Sequence, residues 1–99
     1  MIVTISTLLA RAGEEDAIIA LHEDLQRTQL ANVHRDISTE LLRSIENSRQ
    51  FVAIMHYENQ ESAQALANDP EQHTWFQRLV SLTETAPVVN EYKSEWQAP

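Results

Sequence analysis

The segment Arg49–Glu58 constrains the fold most, because its side chains are largely apolar on both faces of the strand that it predicts. One face carries Phe51, Ala53, Met55 and Tyr57, and the other carries Val52, Ile54 and His56. A strand of this kind lies at the centre of a sheet, where both of its faces need apolar cover. Any fold of this chain must therefore bury two sides of one sheet.

Three further strands are predicted from alternating apolar or β-branched residues, at Met1–Ala10, Asp36–Ser44 and Val88–Trp96. The first of them resembles the central strand, since Ile, Val or Leu occurs on both of its sides. The last has one polar face, which carries Glu91, Lys93 and Glu95.

Helical spacing predicts one helix after the acidic cluster Glu14–Asp16 and running to about Ala31, with Ile18, Leu21 and Leu25 as its apolar stripe. A weak helical pattern occupies Asn59–Asn68. A stronger helix is predicted from Glu71 to about Thr85, after an Asp-Pro start and before Pro87. Its broad apolar face carries Trp75, Phe76, Leu79, Val80 and Leu82.

This β-α-β-β-α-β order predicts an α+β fold of the ferredoxin-like type, with helices on one face of a four-stranded antiparallel sheet. We expect residues 1–99 to form a single domain. Helices on one face leave the other apolar face in water, and a second copy of the chain would cover it. A stable interface needs about 800 Å² per partner, so the sequence predicts a homodimer.

Composition excludes several classes of function. Seven basic and fifteen acidic residues give a net charge of −8, which repels nucleic acid and anionic membrane surfaces. The chain has no cysteine, so it has no thiolate nucleophile, disulfide or cysteine-based metal site. The first ten residues lack a basic n-region, which predicts a strand of a cytoplasmic protein rather than a signal peptide.

Two parts of the sequence resemble the antibiotic biosynthesis monooxygenase family. The predicted hairpin of Asp36–Ser44 and Phe51–Glu58 is similar to the central hairpin of that family. The resemblance continues through Phe76-Gln77-Arg78-Leu79 to the closing strand Val88–Tyr92, so it covers nearly the whole chain. It implies a dimeric α/β barrel with a ligand pocket in each subunit, between the sheet and the helices.

The family includes cofactor-free oxygenases of quinol or polycyclic aromatic substrates, heme-degrading enzymes and proteins with no known activity. Many members carry a His on the short helix after the third strand, and Leu66 best matches that position here. The heme-degrading members use a Trp there and a His on the next helix, where this chain has Leu66 and Phe76. The resemblance therefore argues against heme degradation.

Histidines are the natural proton carriers near neutral pH, and this chain has four. No two of them have metal-ligand spacing, so no metal site is predicted. His22 and His34 are interpreted as solvated surface residues. His56 and His73 are the candidate catalytic bases, although the sequence favours a histidine hydrogen-bonded at a sheet or dimer interface as the interpretation of His56.

The predicted pocket is lined by Leu66, Trp75, Phe76 and Tyr57, of which the aromatic residues suit a flat substrate or an ordinary core. No phosphate-binding, dinucleotide-binding, zinc-protease or serine-hydrolase motif occurs, and we expect no cofactor. The first functional hypothesis is a cofactor-free monooxygenase acting on a quinol or polycyclic aromatic molecule. The alternatives are a non-catalytic ligand-binding or regulatory dimer and a purely structural dimer.

Overall fold

The computed structural model describes residues 1–99 and has four strands and three α-helices. The elements are β1 (Ile2–Leu9), α1 (Glu15–Leu25), β2 (Ile37–Arg43), β3 (Gln50–Tyr57), α2 (Gln60–Ala67), α3 (Pro70–Ser81) and β4 (Val88–Lys93). The strands form one antiparallel sheet in the order β2-β3-β1-β4. The predicted ferredoxin-like fold is thereby confirmed, with β3 and β1 at the centre of the sheet.

The side chains of the strands point to two faces of the sheet, and the helices pack against only one of them. On the inner face, Phe51, Ala53, Met55 and Tyr57 of β3 are all buried. They belong to one core with Ile18, Leu21 and Leu25 of α1, Leu66 of α2, and Trp75 and Leu79 of α3. The apolar stripe predicted for the first helix is therefore the stripe that packs on the sheet.

The opposite face, which we call the open face, has no helix against it. Its centre consists of Val3 and Ile5 of β1 and Val52 and Ile54 of β3, which the register brings side by side. These four side chains are only partly buried in the single chain. Leu42, Val88 and Tyr92 on the flanking strands are exposed. The face is thus apolar at its centre, as the sequence predicts.

Helix α1 continues into a π-helical turn, Gln26–Leu30, which buries Gln29 and Leu30. Its wider register is visible in the bond from the Ala31 N–H to the Gln26 carbonyl. At the other end of the helix, Gly13 takes a φ of 87°, which suits glycine in the turn after β1. The sequence predicts one regular helix here and does not indicate the π turn.

Two predicted ends lie too far along the chain. Helix α3 ends at Ser81 rather than near Thr85, because Thr83 forms a bridge with Ala10 and the Leu82 carbonyl accepts a bond from the Arg11 N–H. Val80, assigned to the apolar face of that helix, is exposed. Strand β4 ends at Lys93, after which the Ser94 N–H donates to the carbonyl of Met1, the residue before β1.

Trp96, placed by its sequence pattern in the last strand, therefore lies beyond that strand and is exposed.

None of the helices combines the length and the apolar composition needed to cross a membrane.

The start of α3 is tied to the connection before β2 by one carboxylate. Asp69 caps the helix by accepting a bond from the Glu71 N–H at 3.0 Å, and Pro70 begins it. The second carboxylate oxygen accepts a bond from Nε2 of His34 at 2.9 Å. The hydrogen bond from His34, and to a smaller extent that from the Glu71 N–H, lowers the pKa of Asp69 below its ordinary 3.8. His34 is buried, so the interpretation of this residue as a solvated histidine is wrong.

Asp69→Asn tests this link, because asparagine still caps a helix but carries no charge. A lowered folded-state pKa means that the carboxylate stabilises the fold above pH 3.8, and that this contribution is lost as the pH falls through the folded-state value. We expect the free energy of unfolding of the variant, from urea titrations, to fall less steeply than the parent's under acid conditions. Asp16→Asn, at an exposed carboxylate in the first turn of α1, is the control and should follow the parent. Superimposable acid curves for the parent and Asp69→Asn would contradict the link.

Candidate functional site

A partly open cavity of about 140 Å³ lies between the inner face of the sheet and the helices. The sheet contributes Ser6, Ala53, Met55 and Val89 to its wall. The helices contribute His22, Gln72, Trp75, Phe76 and Leu79. Most of this wall is apolar, with a few polar side chains among aromatic ones, which is the usual composition of a small-molecule site.

His22 is the most unusual residue of this wall. It is only 5% exposed, although it carries two ring nitrogens that need partners. Its Nδ1–H donates to the Ile18 carbonyl at 2.8 Å, which leaves Nε2 as the unprotonated nitrogen. Nε2 has no hydrogen-bond partner. A buried acceptor without a partner costs about 1–3 kcal/mol, so a bound molecule that donates a hydrogen bond to Nε2 would be stabilised here.

The orientation of the His22 ring is fixed by Trp75. The two rings meet edge to face, with centroids 5.0 Å apart and planes at 89°. Trp75 is itself held by a bond from its Nε1–H to the Leu21 carbonyl at 2.8 Å. Burial lowers the pKa of His22 below 6.5, against a smaller opposing effect of the Ile18 hydrogen bond. The ring is therefore neutral at neutral pH.

Gln72 supplies a second unsatisfied acceptor to the same cavity. Its Oε1 atom is buried and has no hydrogen-bond partner. The Ser6 side chain lies in the wall formed by the sheet, and no charged side chain contributes to the wall. Two residues of this largely apolar wall thus carry buried acceptor atoms without a partner in the protein.

Four larger depressions lie outside this cavity, and the two with the greatest volumes border α1. A cleft of about 420 Å³ on the other side of His22 runs between α1 and β2 and is lined by Ile19, Leu41, Arg43 and Phe51. A groove of about 530 Å³ between α1 and α3 carries Asp24, Arg27 and Arg78 and is open to solvent. No group of three or more His, Cys, Asp or Glu side chains is placed to hold a metal ion.

The structure places two of the four predicted wall residues in the cavity. Trp75 and Phe76 both line it. Tyr57 is buried on the same sheet face but lies outside the wall, with its hydroxyl beside Thr4 and Met55. Leu66 is a core residue of α2 and does not reach the cavity.

Neither predicted base borders the cavity. His56 shares the open face with Val52 and Ile54, as expected, but Tyr57 points to the inner face, so the two do not meet in one pocket. The alternation of side chains along a strand causes this separation. His73 is exposed on α3 and contacts Gln77 at 3.2 Å.

His22 and Gln72 are the residues that sequence reasoning missed, and the assignment of His22 to the solvated surface is wrong. A signal for both was present. His22 lies four residues after Ile18 and three before Leu25, so it belongs to the buried stripe. Gln72 lies three residues before Trp75 and seven before Leu79, on the buried side of α3.

The sequence matches the family model described as antibiotic biosynthesis monooxygenase over residues 1–78. No curated protein matches the chain. Among solved structures, a Deinococcus radiodurans protein whose name places it among the antibiotic biosynthesis monooxygenases superposes with a TM-score of 0.84 at 14% identity, covering 100% of this chain and 97% of the other.

Two further structures show the same likeness. Rv0793 from Mycobacterium tuberculosis has a TM-score of 0.83 at 14% identity, over 99% of this chain and 98% of its own. A mutant of SnoaB, a cofactor-independent oxygenase from Streptomyces nogalater, has a TM-score of 0.78 at 13% identity, over 99% and 96%. At these identities the likeness shows the fold.

The pKa of His22 gives a testable pH dependence. Since that pKa is lower in the folded protein than the ordinary 6.5, the unfolded chain binds more protons just below pH 6.5. The free energy of unfolding should therefore decline as the pH falls from 6.5 to the folded-state pKa. In His22→Gln this part of the decline should vanish in denaturation curves taken across the range. His73→Gln is the control at an exposed histidine and should keep the parent slope. An NMR titration showing ordinary protonation of His22 would contradict the assignment.

Proposed function

Since the chain belongs to the antibiotic biosynthesis monooxygenase family, we propose that it is a cofactor-independent monooxygenase whose substrate is a small quinol. The observation that carries this proposal is the cavity between the sheet and the helices, whose wall includes the aromatic side chains of Trp75 and Phe76 and two residues with buried hydrogen-bond acceptors. An aromatic wall suits a flat ring, and acceptors suit the hydroxyl groups of a quinol. The likeness in fold to SnoaB, a cofactor-independent oxygenase, supports the absence of a cofactor.

The size of the cavity favours a substrate with one ring. A cavity of roughly 150 Å³ in another protein binds benzene. The cavity in this chain has a similar volume, about 140 Å³. A polycyclic substrate would need the cavity to join the neighbouring cleft past His22. We therefore place single-ring quinols ahead of polycyclic ones.

The reaction balances without an external reductant. One atom of O₂ replaces a hydrogen of the quinol ring, and the other leaves as water. The quinol supplies the four electrons and becomes a hydroxyquinone. The role of the protein is to hold the ring away from bulk water and to favour the electron-rich, deprotonated form that reacts with oxygen.

Oxygen uptake with a panel of quinols tests this proposal. We expect the protein to consume O₂ with hydroquinone or catechol above the uncatalysed rate, and more slowly with an anthrone. Ala53→Leu should abolish the effect, because the larger side chain fills the cavity. Val52→Leu, on the neighbouring residue of the open face, should leave it unchanged. Equal rates with and without protein for every substrate would overturn the oxygenase proposal.

A non-catalytic ligand-binding role is the second candidate, and Leu66 favours it. This apolar residue, 2% exposed, occupies the position at which many relatives are expected to carry a polar side chain. Binding of quinols that Ala53→Leu abolishes, without consumption of O₂, would support this second candidate.

We also propose that two chains associate through their open faces. The apolar centre of that face, formed by Val3, Ile5, Val52 and Ile54, would leave water in such a dimer. The arrangement would close two sheets into the barrel implied by the family. His56 would then lie in or beside the interface.

Sedimentation tests the association directly. We expect the parent to sediment at twice the chain mass of 11.3 kDa at micromolar concentration, and Ile54→Lys to sediment as single chains. The lysine would place a charge at the centre of the open face, where its desolvation opposes association. Gln64→Lys, on the exposed side of α2, is the matched control. A monomeric parent would contradict the proposed dimer.

A further inference from the structure

We propose that His22 accepts the proton of one substrate hydroxyl at its Nε2 atom, while the Gln72 carbonyl oxygen accepts a hydrogen bond from a second hydroxyl. This assignment rests on the oxygenase function proposed above and names the groups that would act in it. Neither predicted histidine base lies at the cavity, whereas both of these residues belong to its wall.

The tautomer of His22 makes Nε2 the basic atom. Its Nδ1–H is engaged with the Ile18 carbonyl at 2.8 Å, and the edge-to-face contact with Trp75 holds the ring plane. Nε2 therefore presents a lone pair and has no protein partner. A neutral imidazole with one nitrogen anchored and the other free is the usual arrangement of a general base.

Two acceptors determine what kind of ligand suits the cavity. His22 Nε2 and Gln72 Oε1 both lack donors, and the rest of the wall is largely apolar. A complementary ligand donates two hydrogen bonds from an apolar body, as a benzenediol does. The hydroxyquinone product has two carbonyl groups and a single hydroxyl donor, so it can satisfy only one of the two acceptors and binds less well than the quinol.

Both acceptor atoms are closed to water in the free protein. A ligand must therefore displace a neighbouring side chain, and Met55 is the long, unbranched apolar member of the wall. Outside the cavity, His22 shares the neighbouring cleft with two charged side chains, Glu23 of α1 and Arg43 of β2. Within the cavity no charged side chain competes with His22 for the proton.

The proton step conserves atoms and charge. The hydroxyl O–H bond of the substrate breaks, an N–H bond forms at His22 Nε2, and the electron pair stays on the substrate. The resulting anion is the electron-rich species that the proposed function oxidises with O₂. The imidazolium then returns its proton to the oxygen atom that leaves as water.

Two substitutions separate the two roles. His22→Gln keeps a hydrogen-bond acceptor but cannot carry a proton at neutral pH, so kcat with hydroquinone should fall by roughly 100-fold or more, with a smaller change in KM. Gln72→Leu should weaken binding of hydroquinone by roughly five- to tenfold and leave binding of phenol unchanged. His73→Gln is the control, and thermal unfolding checks that each variant is folded. An unchanged kcat in folded His22→Gln would overturn the proposal.

A binding experiment keeps this inference separate from the oxygenase proposal. The probe is 4-nitrocatechol, whose deprotonated form is coloured, under anaerobic conditions at a pH where the free probe is mostly protonated. The parent should raise the coloured band, and NMR of the labelled imidazole should show both nitrogens of His22 protonated in the complex. His22→Gln should give no such band. This result without oxygen uptake would retain the proton acceptor and reject the oxygenase. No band with the parent, or an equal band with His22→Gln, would overturn the inference.

Discussion

The fold depends on covering both faces of strand β3. On the inner face, Phe51, Ala53, Met55 and Tyr57 are buried beneath the helices, and this packing supplies most of the core. On the open face, Val52 and Ile54 lie beside Val3 and Ile5 with no helix above them. A single chain therefore covers only one of the two apolar faces of its central strand. The cavity, the core and the proposed dimer all follow from the way in which this strand is covered.

The sheet could be predicted from sequence because strand alternation is strict. The pattern of Arg49–Glu58 assigned every side chain of β3 to the correct face, and the stripe of Ile18, Leu21 and Leu25 located the packed side of α1. The ends of α3 and β4 could not be predicted, because they depend on pairing with distant backbone. Thr83 pairs with Ala10, and the pairing of β4 with β1 extends only from Val88 to Lys93.

The candidate site was only partly predictable. Trp75 and Phe76 could be assigned to the wall from helical spacing. The spacing of His22 from Ile18 and Leu25 indicates a buried position, but the sequence does not show which partners hold His22 and His34 in the interior. Those partners are the Ile18 carbonyl and the carboxylate of Asp69, and the second lies 35 residues further along the chain. Burial of a polar group is decided by such contacts rather than by its neighbours in sequence.

The contacts that fix His22 also affect how a molecule enters the cavity. The bond to the Ile18 carbonyl and the edge of Trp75 already restrict both torsions of the imidazole before anything binds. Ordering a side chain on binding usually costs conformational entropy, and here that loss has occurred during folding. A guest that bonds to Nε2 meets a preorganised partner, so rigidity at this one ring favours affinity even in a cavity of modest size.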